Sequence, residues 1–238
     1  MTAFLKRMKT SSCARRTLRG PHSMQRAIFI LMLGVSMNAC SSDAVSWKEE
    51  VLLHDGSKIV VERSQSYGGR HEIGQTPPIK EQTIKFMLPG TNKTITWRSE
   101  YSEDIGRSNF ILLALHILKG TPYIVASPNL CLSYNKWGRP NPPYVFFKYD
   151  GKGWERISLA EFPVEFKEIN VVVSTKAEEE TITANPLVSA ELVKKLNATL
   201  EQPEYKTILR EPLAQERCPQ YSSGPKAPIP ITPDVEPK

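Results

Sequence analysis

EEVLLHDGSKIVVERS, residues 49–64, is the stretch from which the fold is read. Two apolar arms flank Asp55-Gly56. Asp-Gly tolerates the positive φ that tight hairpins require, so this pair between such arms is a strong hairpin signal. Val51 and Leu53 alternate on the first arm, Ile59 and Val61 on the second. A period of two puts each pair on one face of a strand.

The pattern recurs outward. TIKFMLPGTNKTITW (residues 83–97) alternates Ile84, Phe86 and Leu88, turns at Pro-Gly-Thr-Asn, and resumes with Ile95 and Trp97. NFILLALHILKGTPYIVAS (109–127) opens on a continuous apolar run, which fits a buried strand or a buried helix equally. The Lys119-Gly120-Thr121-Pro122 turn into YIVAS favours a third hairpin. YVFFKYDGKGWERISL (144–159) turns at Asp150-Gly151 as a fourth, and NVVVSTK (170–176) reads as one more short strand. SAELVKKLNATL (189–200) changes period: Leu192, Val193, Leu196 and Leu200 share a helical face, with Ser189 as N-cap and Pro203 beyond the end. The prediction is a mainly β fold of antiparallel hairpins, in a sandwich-like or meander sheet, with one C-terminal amphipathic helix. A single domain is expected over residues 47–221. A disordered tail is expected over 222–238, where five of seventeen residues are proline.

Upstream, AIFILMLGV (27–35) is a nine-residue apolar run, too short for a permanent membrane helix of roughly 20 residues. Seven Lys or Arg precede it and no acid does, which fits a secretory signal over residues 1–39. A start at Met24 would shorten that signal to 16 residues and make residues 1–23 a mis-assigned extension. Arg15-Arg16 leaves twin-arginine export as an alternative. Met37-Asn38-Ala39-Cys40 resembles the lipobox of bacterial lipoproteins, with Met37 where that family usually has leucine. The resemblance implies cleavage before Cys40, a diacylglyceryl group on its sulfur, and a short tether at 40–46. Ser41 after the cysteine implies the outer membrane, facing the periplasm. The other reading is an ordinary secretory signal with an incidental cysteine.

The whole chain carries +6, but subtracting the seven charges of residues 1–39 leaves −1. A near-neutral domain has no electrostatic footprint for nucleic acid. With Cys13 removed and Cys40 lipidated, Cys131 and Cys218 remain, and two thiols in an oxidising compartment suggest a disulfide. His22, His54, His71 and His116 stand apart and no Cys-x-x-Cys occurs, so neither metal nor cofactor is expected.

Two polar loops could carry function. In the first, Tyr67, Arg70, His71 and Glu72 surround Gly68-Gly69. The second, CLSYNKWGRPNPPY (131–144), crowds Tyr134, Asn135, Lys136, Trp137 and Arg139 into a proline-stiffened segment. Rigid aromatics beside arginine suit a binding surface, and SYNKWGRPNPPY is similar to uncharacterised bacterial lipoproteins. The bland reading makes Trp137 a plug at the core edge. No G-x-S-x-G or H-E-x-x-H signature is present. The expectation is a non-enzymatic, lipid-anchored envelope module that meets an envelope protein, glycan or incoming toxin through Trp137. The alternatives are an envelope hydrolase using Arg70-His71-Glu72, and a purely structural role.

Overall fold

The Asp-Gly pair turns the chain. Gly56 has φ +84° and ends a three-residue loop that Leu53 N closes by donating to Ser57 O at 2.8 Å. The structure, a computed structural model, describes residues 44–218. The expected signal over 1–39, the expected lipid site Cys40 and the expected disordered tail over 222–238 lie outside them.

Strands β1 (Ala44–Leu52), β2 (Lys58–Tyr67), β3 (Ile79–Met87) and β4 (Thr94–Ser99) form an antiparallel meander in chain order. β5 (Tyr101–Ser102) and β6 (Arg107–Ser108) make a small hairpin. β7 (Phe110–Leu118), β8 (Thr121–Pro128), β9 (Val145–Tyr149) and β10 (Trp154–Ile157) form a second meander. Val51, Val61, Ile84, Phe86 and Trp97 of the first sheet share one core with Phe110, Leu112, Leu115, Ile124 and Val145 of the second. The fold is therefore the expected mainly β one, with two sheets packed face to face. β1 starts earlier than the expected tether end: residues 44–46 pair with 64–66, and Val45 packs beside Trp47.

β7 explains its own ambiguous sequence. Its register slips between Leu112 and Ala114, so a bulge reverses which parity faces the sandwich. Leu112 and Leu115 point into the first core, whereas Leu113 and Ala114 join a second core on the opposite face. There they meet Phe162, Phe166, Tyr205 and Ile208 from the C-terminal segment. A strand buried on both faces needs no alternation.

The C-terminal segment corrects two expectations. NVVVSTK is not a strand. Val171, Val172 and Val173 enter three different cores, and side chains satisfy their backbone. Val172 N donates to Glu49 Oε1 at 2.8 Å, Val173 N to Asn197 Oδ1 at 3.1 Å, and Asn197 Nδ2 to Val171 O at 2.8 Å. Three valines splayed in three directions cannot share a sheet register. Helices also exceed the single one expected. α1 (Leu130–Lys136) occupies part of the expected Trp137 loop, and α2 (Glu179–Ala184) precedes the anticipated α3 (Ala190–Ala198). Ser189 caps α3, its Oγ accepting from Leu192 N at 3.2 Å.

Asn170 closes an exposed edge. β7 ends the second sheet, and the Asn170 amide stands in for a neighbouring strand. Its Oδ1 accepts from Leu115 N at 3.0 Å, and Nδ2 donates to Leu115 O at 2.7 Å and Leu52 O at 3.0 Å. Cys131 and Cys218 form a disulfide with Cα atoms 5.6 Å apart. It ties α1 to the last described residue.

Candidate functional site

The inward face of the first sheet changes character along its length. On β2 it runs Val61, Arg63, Gln65; on β3 it runs Phe86, Ile84, Gln82, and all six are buried. Gln65 pairs with Gln82 and Gln82 with Ser99, a polar row across one end of the sheet. Thr175 Oγ1 donates to Gln65 Oε1 at 2.6 Å, and Ser99 Oγ accepts from Phe110 N at 2.8 Å. Gln82 Oε1, in the middle, is buried and has no hydrogen-bond partner among the described residues. A buried acceptor left unmatched costs about 1–3 kcal/mol.

A cleft of about 320 Å³ has Gln82 of this row in its lining. Its walls come from both sheets and from the valine segment: Ile79 and Gln82 of β3, Arg107 of β6, Ile111 of β7, Asn129, and Val173, Ser174, Thr175 and Lys176. Arg70, His71, Gln75, Thr76 and Pro78 of the first polar loop complete it. Two glycines make this assembly possible. A Cβ on Gly69 would lie 2.3 Å from Gly106 O, and one on Gly106 would lie 2.7 Å from the Arg70 Cβ. Only glycine permits that approach. It lets Arg70 N donate to Gly106 O at 2.8 Å and sets Arg70 on the wall beside Arg107.

Within the cleft, Arg70 Nη2 donates to Glu103 O at 3.0 Å, and Lys176 Nζ donates to Pro77 O at 2.7 Å. Both acceptors are carbonyls, which orient the cations without neutralising them. His71 Nδ1 lies 2.8 Å from Gly69 O, which can only accept, so Nδ1 carries the hydrogen. Glu72 is outside the lining and accepts from Gln75 at 3.3 Å. Tyr67 sits next to the cleft, its hydroxyl bonded to Glu179 and Gln65 and its ring under Lys176 Nζ at 5.6 Å.

The second polar segment lies elsewhere, and its residues have partners within the fold. The Trp137 ring packs 4.5 Å from Phe110, and its Nε1 donates to Asn109 Oδ1 at 3.1 Å. Arg156 covers it at 5.7 Å. Tyr134 is buried, with Arg139 over its ring at 5.1 Å. Burial raises the phenol above its usual value. Arg139 also bonds Glu216, Asn135 and Cys218 O, and Lys136 pairs with Asp104 at 2.9 Å. The two segments flank the β5–β6 hairpin, through Glu103 and Asp104, without meeting in one cleft.

Sequence reasoning reached Arg70 and His71 but missed Arg107, Lys176, Asn129 and Gln82. Gln82 had a signal: it falls two residues before Ile84, where alternation asks for an apolar residue. The histidines expected to stand apart do not all do so. His54 and His116 lie 6.5 Å apart, both against Phe166, in a second cleft of about 470 Å³. His116 Nε2 bonds Glu168 O at 3.0 Å, and burial lowers its pKa to about 4. No protein-family model, curated protein or solved structure matches this chain.

Proposed function

We propose that the protein is a lipid-anchored, periplasm-facing envelope module that binds rather than turns over its ligand, and that the ligand occupies the cleft over Gln82. The observation that carries this reading is buried Gln82, whose Oε1 has no partner among the described residues, in the lining of a cleft that both sheets and the Arg70 loop combine to build. Most buried polar groups have a partner within the fold, so an unpartnered acceptor in a cleft lining supports a ligand site. Trp137 is half-buried, its ring packed on Phe110 and under Arg156, which gives that segment less support as the binding surface. Hydrolysis has less support, since Glu72 bonds Gln75 instead of lining the cleft beside His71.

Photo-crosslinking in cells tests the reading. A photoreactive residue at exposed Thr76, on the cleft rim, should give an adduct that Gln82→Leu abolishes. The same probe at exposed Leu132 on α1 should give none. Adducts from Leu132 alone would return binding to the Trp137 side, and a Thr76 adduct indifferent to Gln82→Leu would defeat the cleft assignment.

A further inference from the structure

The charged side chains that line the cleft are of one sign. Arg70, Arg107 and Lys176 line it, and no aspartate or glutamate does. Among the described residues, none of the three takes part in a salt bridge. Carboxylates on adjoining segments lie outside the lining and bond tyrosines: Glu103 Oε2 accepts from Tyr101 OH at 2.8 Å, and Glu179 Oε2 accepts from Tyr67 OH. Three cations, none of them in a salt bridge among the described residues, give the lining itself a positive charge in a chain whose residues from Cys40 onward sum to −1. Cations that converge on a cleft without a carboxylate partner await an anion.

The size and the remaining polar atoms narrow that anion. A volume near 320 Å³ is in the range of small-molecule sites. An arginine fork meets carboxylate or phosphate oxygens in pairs. Arg70 and Lys176 each spend one hydrogen on a carbonyl, and keep the rest of the five and three donors that such side chains carry. Gln82 Oε1 needs the opposite, a donor. A ligand that carries both an oxyanion and a hydroxyl or N–H would meet both demands.

Building on the cleft assignment above, we propose that the bound molecule is a small acidic sugar, its carboxylate or phosphate held by Arg107, Arg70 and Lys176 and a hydroxyl donated to Gln82. The shared chemistry of the two candidate sources, sugar acid and sugar phosphate, is the oxyanion beside a hydroxyl.

Calorimetric titration of the full chain in detergent tests this, with glucuronate, glucose 6-phosphate, glucose, glucosamine and inorganic phosphate as probes. Glucuronate, glucose 6-phosphate or both should bind, and glucose and glucosamine should not. Whichever of the two binds identifies the source of the oxyanion. Inorganic phosphate should bind at least tenfold more weakly, since it reaches only the cations. Arg107→Gln and Lys176→Gln should each weaken the acidic sugar about tenfold or more, while Lys93→Gln, a cation outside the cleft, should change nothing. Lys176 is exposed, so its variant reports even if Arg107→Gln fails to fold. Gln82→Leu should weaken the sugar but not inorganic phosphate. Glucose binding as tightly as glucuronate would overturn the charge assignment and leave the cleft standing. Loss that Lys93→Gln reproduces would mark a non-specific ionic effect and overturn it too. Binding confined to phosphatidylglycerol vesicles over phosphatidylcholine, with no soluble probe bound, would overturn the sugar in favour of a lipid headgroup. If no probe binds while the Thr76 adduct persists, the sugar is excluded and the cleft is not; if the adduct also fails, both fall.

Discussion

His116 has no solvent exposure and stacks on Phe166, with ring centroids 4.6 Å apart. Its Nε2 donates to Glu168 O, and Nδ1 faces the Asn170 amide at 3.5 Å. Desolvation chiefly, and the neighbouring His54 in a smaller part, hold its pKa near 4. An unfolded histidine titrates near 6.5, so as pH falls from about 6.5 to about 4 only the unfolded chain gains this proton. Stability is complete above 6.5 and declines through that window, by roughly 3 kcal/mol in all. Denaturant melts at pH 7.5 and 4.5 should show wild type losing about 2–3 kcal/mol more than His116→Gln. Equal losses would mean that His116 takes up its proton in the folded state. Arg63 and Glu49 show a different accommodation. Burial depresses the guanidinium and Glu49 opposes that, at 3.3 Å, while Trp47 Nε1 and Val172 N fill the remaining carboxylate sites. A buried charge pair so bonded fixes register more than it adds stability.

At the scale of elements, residues 171–173 show why a β-rich trio need not be a strand. Three valines favour extended backbone, yet the backbone partners here are Glu49, Asn197 and Arg63 side chains. Asn197, on α3, holds both Val173 N and Val171 O. Asn197→Ala should therefore cost about 2–4 kcal/mol, two buried groups losing partners. Ser189→Ala, which removes only the cap of the same helix, should cost about 1 kcal/mol. Thermal unfolding of both variants decides it; a cost for Asn197→Ala no larger than for the cap would show that the valine segment does not depend on that amide. The hairpins, by contrast, were plain in the sequence. Their alternation and glycine turns are local, and Gly56, Gly90, Gly120 and Gly151 all take the positive φ expected at such turns.

At the scale of the whole molecule, residues 159–218 cover the outer face of the second sheet and the edge of β1, where Glu50 N and Val188 O meet at 2.8 Å. The proposed lipid at Cys40 would attach four residues before β1 begins at Ala44, so the sandwich would sit close to the membrane surface. Metabolic labelling with a palmitate analogue should mark wild type and leave Cys40→Ser unmarked, with the variant released from the membrane fraction; equal labelling would refute lipidation. Sequence pattern was enough for the four hairpins, the cap of α3 and the suspicion of a Cys131–Cys218 bridge, because periodicity, turn chemistry and cysteine count act over short range or by elimination. It was not enough for the cleft. Gln82, Arg107, Asn129 and Lys176 span nearly a hundred residues of chain, and no local spacing links them. What brought them together was the packing of the two sheets, the Gly69–Gly106 contact and the splayed valines, each a long-range contact whose energy exists only once the fold has closed.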